Sequence, residues 1–128
     1  MAMDRNEGIG SLLGRLLAIV EATEAACKVG MQDEGETVCG KQLSTASKTP
    51  QFAYPEIMRA YYASMKIVRR NNEGKAIHLD NLFDEVSHTL EERRIPKSLN
   101  EAEQCDFFIA YRLQRREFKW MAYGKAGV

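Results

Sequence analysis

The sequence predicts an all-α fold: a small antiparallel helical bundle of four long helices plus one short helix. Three observations carry this. Apolar residues recur at spacings of three and four through four separate segments. No run alternates with period two over the length of a strand. The connections are short, which favours neighbouring antiparallel helices.

Gly8-Ile9-Gly10 reads as the end of a flexible lead over residues 1–10, and Ser11 is a good N-cap for the first helix. Leu12, Leu13, Leu16, Leu17, Ile19, Val20 and Val29 then follow helical spacing, with Gly30 placed to stop the helix. Met31 to Gly40 carries Gly35 and Gly40 among acids and reads as a loop. Lys41 to Lys48 is short and polar, one or two helical turns, ended by Thr49-Pro50. Pro55 suits the first turn of the next helix, where its missing N–H is not needed. Ile57, Met58, Tyr61, Tyr62, Met65 and Val68 form that helix's apolar stripe, and Asn71-Asn72-Glu73-Gly74 ends it.

Leu79, Leu82, Phe83, Val86 and Leu90 mark the fourth helix, broken by Ile95-Pro96. Ser98-Leu99-Asn100-Glu101 has the form of a capping box for the last helix. That helix runs through Cys105, Phe108, Ile109 and Leu113 to about Met121, and Gly124 and Gly127 fray its end. The single domain thus spans residues 11–123, with a flexible tail over 124–128. Cys27, Phe83, Val86, Cys105 and Leu113 are expected in the core. On that placement, Leu113→Ala costs about 2–5 kcal/mol.

A length of 128 residues suits one domain around one core. Eighteen basic residues balance eighteen acidic ones, which excludes binding nucleic acid by bulk charge. A basic face balanced by an acidic one stays open. Three cysteines, at 27, 39 and 105, have no close pair in sequence, which argues against a disulfide scaffold and for a reducing cytoplasm. The most apolar run, Leu12 to Val20, is interrupted by Gly14 and Arg15 and is far shorter than the roughly 20 residues of a membrane span. The N-terminal stretch, with Asp4 and Glu7 beside Arg5, does not read as a signal peptide.

Two basic stripes stand out. At about 100° per residue, Arg59, Lys66 and Arg70 fall within roughly 40° of one another beside the apolar stripe of their helix. On the last helix Arg112, Arg115, Arg116 and Lys119 span roughly 100°, clear of most of its aromatic face and interrupted only by Glu117. Each stripe presents cations that suit successive phosphates. The competing reading is a solvated face, or salt bridges to Glu91, Glu92 or Asp84.

Tyr61, Tyr62, Tyr111, Phe118, Trp120 and Tyr123 suit stacking on unpaired bases, but most sit at core spacing. Trp120 and Tyr123 fit a protein interface better. Asp84 and Glu85 precede His88 by one helical turn, the arrangement of a carboxylate–imidazole pair. A metal site needs three or four convergent ligands, and the sequence holds no HxxxH or CxxC. Ser44, Thr45 and Ser47 have no nearby histidine as base, and neither Gly35 nor Gly40 opens a phosphate-binding loop. No catalysis, cofactor or metal is therefore expected.

Several segments together resemble one family. They are Leu13-Gly14-Arg15-Leu16, the loop Ser44-Thr45-Ala46-Ser47-Lys48-Thr49-Pro50, and Ile95-Pro96-Lys97-Ser98-Leu99. Glu103-Gln104, followed by Phe107-Phe108-Ile109-Ala110-Tyr111 and Gln114-Arg115, is the most specific. From about Ser11 to Phe118 the chain resembles the C-terminal helical region of the large subunit of type I-C CRISPR Cascade. That region is also made separately, by internal translation, as the small subunit of the complex. The length suits the free small subunit, and Met1 just before the first helix fits an internal start. Family members often carry an aromatic where this chain has Ile95, and a glycine where it has Ala110. Both changes keep helix and packing intact.

The resemblance implies a non-catalytic, cytoplasmic subunit. Its partners would be the backbone filament and the large subunit, further copies of itself, the crRNA-containing complex and target DNA, chiefly the displaced single strand. Guide–target pairing reads the sequence, so such a subunit needs cations and shape rather than base-specific contacts. Arg59, Lys66, Arg70, Arg112, Arg115, Arg116 and Lys119 are then the expected nucleic-acid contacts. Arg115 has a second role open to it, anchoring the bundle through a carboxylate. The alternative function is a protein–protein scaffold whose basic stripes face acids of other subunits.

Overall fold

The structure, a computed structural model, describes residues 7–28 and 37–122, with side chains as far as Phe118. It contains α1 (Ile9–Cys27), α2 (Val38–Lys48), α3 (Pro50–Asn71), α4 (Glu73–Arg93) and α5 (Glu101–Ala122). The described residues hold no strand, so the expected all-α bundle of four long helices and a short one is the fold.

The first helix is the centre of the molecule. Leu12, Leu13, Leu16, Leu17, Ala18, Ile19 and Val20 are all buried, and α1 packs against each of the other four helices. A helix that is apolar on every side has no solvent face to offer, so it is enclosed. Tyr54 of α3 donates its hydroxyl to the Leu13 carbonyl, which satisfies a polar group in the middle of this core. The carboxylate of Glu24, also buried on α1, accepts from the backbone N–H groups of Val38 and Cys39 at 2.9 and 3.0 Å. It therefore caps the first turn of α2 from a neighbouring helix, beside Thr37, which accepts from Gly40.

Helix ends differ from the sequence expectation wherever a cap was misplaced. α1 starts at Ile9 behind Gly8, so Ser11 lies in its first turn rather than at its N-cap. α3 starts at Pro50, with proline in the first helical position, which leaves Pro55 inside the helix. Pro55 has no N–H to offer the Gln51 carbonyl one turn earlier. Asn72 alone separates α3 from α4: its N–H caps Val68, and its side chain accepts from Lys75 at 3.1 Å. α4 consequently begins at Glu73, a turn and a half before its first core leucine. Before α5, the Leu99 N–H donates to the Lys48 carbonyl and its own carbonyl accepts from Gln104. That pins residue 99 outside the helix. The reciprocal cap is therefore Asn100 with Glu103, at 2.8 and 2.9 Å, two residues beyond the expected Ser98 and Glu101.

The rotation of α5 also differs. Phe107, Ala110, Tyr111, Gln114 and Phe118 face the core, whereas Cys105 is exposed and Leu113 is 43% exposed. The expected core positions Cys105 and Leu113 are thus corrected to the surface. Phe83 and Val86 are buried as expected, and Cys27 packs half-buried against the core. Two features of α1 turn α5 this way: Arg15 reaches Gln114, and Gly14 receives the Phe107 backbone. Leu113→Ala is therefore expected to cost less than about 1 kcal/mol, because it removes a half-solvated side chain. Urea unfolding checks this, and a loss above 2 kcal/mol would return Leu113 to the core.

Candidate nucleic-acid interface

The α3 stripe rests on a firmly fixed helix. Ala53, Tyr54, Ile57, Tyr61, Met65 and Val68 are buried along one side of α3. The Tyr61 ring stacks on Phe83 of α4, with centroids 3.6 Å apart and planes at 5°. Its hydroxyl donates to Asp80, which also lies 3.5 Å from Arg69. Burial and the adjacent Asp80 carboxylate push the Tyr61 phenol far above its ordinary range, so it stays a donor. These contacts lock α3 on α4. They leave Arg59, Lys66 and Arg70 exposed, with no ion pair among the described residues.

On α5, Arg112 and Arg116 are exposed and likewise without an ion pair among the described residues. Arg115 is different. Its Nε lies 2.9 Å from Glu21 of α1, and its guanidinium sits 5.6 Å from the centroid of the Tyr111 ring. Tyr111 donates its hydroxyl to the same carboxylate at 2.9 Å. Burial raises the Glu21 carboxyl above its ordinary value, aided by nearby Glu24 and opposed by Arg115 and the Tyr111 hydroxyl. The anchoring role open to Arg115 is therefore met by Glu21. The side chain of Lys119 lies outside the described residues.

α3 and α5 both pack on α1 and share no substantial interface, so the two stripes stand on separate helices. The acids of α4 do not neutralise them: none of Asp84, Glu91 and Glu92 pairs with either stripe among the described residues. The α5 stripe lies clear of the buried aromatics Phe107, Tyr111 and Phe118, but it shares its outward side with other apolar residues. Phe108, Ile109 and Leu113 are exposed on the same outward side as Arg112 and Arg116.

Of the aromatic candidates, Tyr61, Tyr111 and Phe118 belong to the core, and Tyr62 is 58% exposed. The Trp120 side chain and Tyr123 lie outside the described residues. His78 and His88 are exposed, and the nearest carboxylate partner of His88 is Glu92 at 3.9 Å rather than Asp84 or Glu85. Among the described residues no cluster of three His, Cys, Asp or Glu side chains is placed to hold a metal, and no helix is long and apolar enough to cross a membrane. Sequence reasoning missed the buried Arg15, the capping Glu24 and the paired glycines of α1. The G-x-x-x-G spacing of Gly10 and Gly14 was the one readable signal among these.

A buried central helix, surrounded by helices two of which carry exposed cations without an ion pair among the described residues, defines a small all-α module. Residues 1–119 match the CRISPR-associated protein family Cas_Csd1, and the chain belongs to that family, which is the family of the type I-C Cascade large subunit. No curated protein matches the chain.

Proposed function

We propose that the chain is a non-catalytic small subunit of type I-C Cascade, an RNA-guided CRISPR surveillance complex of the cytoplasm. It stabilises the complex and the R-loop by contacting the displaced non-target DNA strand. One observation supports this most: Arg59, Lys66, Arg70, Arg112 and Arg116 stand exposed without an ion pair among the described residues, in a chain of zero net charge and of this family. A sugar–phosphate strand supplies charge that matches these cations. Arg115 and Glu21 position the α5 stripe; Lys119, whose side chain lies outside the described residues, belongs to the proposed set by its place in the sequence. The backbone filament, the large subunit, the crRNA and further copies of the chain are the partners in this reading.

A scaffold reading is favoured for α5 by its exposed Phe108, Ile109 and Leu113, which suit a protein neighbour better than a phosphate. Two triple variants separate the readings in the assembled complex. Arg59, Lys66 and Arg70 are replaced by Ala in one, and Arg112, Arg116 and Lys119 in the other. Each is expected to fold normally, because exposed charges add little stability. Each is expected to weaken target binding alike for all sequences and to lower the salt slope by about 0.7 per lost phosphate contact. If only the α3 variant does so, α5 is a protein face. If neither does and assembly is normal, the scaffold reading replaces the DNA reading.

A further inference from the structure

Resting on the DNA-contacting reading above, we propose that the groove between α3 and α4 receives one unpaired base of a single DNA strand, with Tyr62 as its stacking platform. The groove is a cavity of about 380 Å³, floored by Leu16 and walled by Met58, Tyr62, Phe83, Leu90 and Arg94. That lies within the range of about 300–1,000 Å³ typical of small-ligand sites. Its lining is mainly apolar, as the flat face of a base requires.

Tyr62 is placed for this use by the core beneath it. Its ring meets Tyr61 edge-on at 5.3 Å and 74°, and Phe83 at 6.0 Å and 75°. The Tyr61–Phe83 stack is itself buried, so Tyr62 is braced from below while more than half of its surface faces solvent. A braced ring loses little side-chain freedom when a base settles on it.

The charges around the ring favour a strand over an apolar peptide. Arg59 precedes Tyr62 by three residues and Lys66 follows it by four, so both are its immediate neighbours along the surface of α3. A cation, an aromatic ring and a second cation thus follow one another along one helix face. A nucleotide in this register puts its base on the ring and its flanking phosphates against the two cations. Arg94 adds a third positive charge at the wall. Glu91 also lines the groove and sets one negative charge against these three positive ones. Stacking does not read sequence, which suits a subunit that must accept any displaced strand.

The test compares two labelled oligonucleotides on the full chain by fluorescence anisotropy. One is oligo-dT, and the other has the same sugar–phosphate backbone with abasic positions. Wild type is expected to bind oligo-dT about five- to a hundredfold more tightly than the abasic strand. Tyr62→Ala is expected to lose that preference with its salt slope unchanged, and Tyr62→Phe to keep it. Equal, salt-sensitive binding of both strands by wild type removes the stacking site and leaves the electrostatic track standing. So does a Tyr62→Ala variant that retains the preference. Failure of wild type to bind either strand overturns both the stacking site and the DNA-contacting reading beneath it. The abasic comparison on wild type decides the matter even if the Tyr62→Ala variant folds poorly.

Discussion

Replacing Gly14 with alanine is expected to destabilise the protein by roughly 3 kcal/mol or more, and valine by more again. A Cβ at Gly14 would stand 2.2 Å from the Phe107 carbonyl oxygen of α5, and one at Gly10 would stand 2.2 Å from that of Glu103. Both obstacles are backbone atoms, so no side chain can swing aside. The four-residue step from Gly10 to Gly14 matches the four-residue step from Glu103 to Phe107, and α5 lies in the notch the glycines leave. Adding a methyl group forces the helices apart along their shared length, and with them the buried Phe107, Tyr111 and Phe118. The sign of the effect is diagnostic. In an isolated helix, Gly→Ala stabilises by about 1 kcal/mol, so local propensity and tertiary packing predict opposite outcomes. Urea unfolding of Gly14→Ala decides between them, and a raised midpoint would mean that α1 and α5 are not in backbone contact.

Glu7→Ala is expected to cost about 3–5 kcal/mol by leaving a buried cation without its counter-charge. Arg15 is only 2% exposed in the middle of the α1 sequence. Its Nη1 lies 3.0 Å from Glu7, and its Nε donates to Gln114 at 3.0 Å. Gln114, itself buried, passes its amide on to Glu117 at 3.1 Å. Arg93 of α4 donates to the main-chain oxygen of Glu7 and holds the approach to α1 in place. Removing only the carboxylate strands the guanidinium. Arg15→Met with Gln114→Leu removes the buried cation and its buried amide acceptor and leaves Glu7, which reaches solvent, as the remaining charge, and should cost far less than Glu7→Ala alone. Chemical denaturation of the two variants makes the comparison. A double variant less stable than Glu7→Ala would show that the network contributes stability beyond satisfying its own buried charge.

These two effects show what was hidden in the sequence. Arg15 and Gly14 read there as interruptions of an apolar run. Their roles lie in α5, almost a hundred residues away, and no local pattern links Arg15 to Gln114. Helix α5 misled for a related reason. Cys105, Phe108, Ile109 and Leu113 keep helical spacing, and so do Phe107, Ala110, Tyr111, Gln114 and Phe118. The second stripe contains a glutamine, so periodicity alone prefers the first. The cations of α3 were legible, because the tyrosines and aliphatics beside them left only one face for burial. Arg115 was legible as a cation, but its pairing with Glu21 was not.

The features legible in the chain alone are local and additive. The 3.6-residue spacing, the prolines and the turn residues are sufficient for an all-α chain of five segments. The charge count is sufficient to exclude binding by bulk charge, and the segments ending in Gln114-Arg115 pointed to the family to which residues 1–119 belong. The tertiary structure alone decided the rotation of α5 about its axis, the helix starts set by distant caps, and which arginines stay free. Helical periodicity is a property of one segment and is blind to rotation about the helix axis. That rotation is chosen by whichever partner surface leaves no buried charge unpaired and no backbone in collision, and here the partner is the glycine notch and the buried arginine of α1.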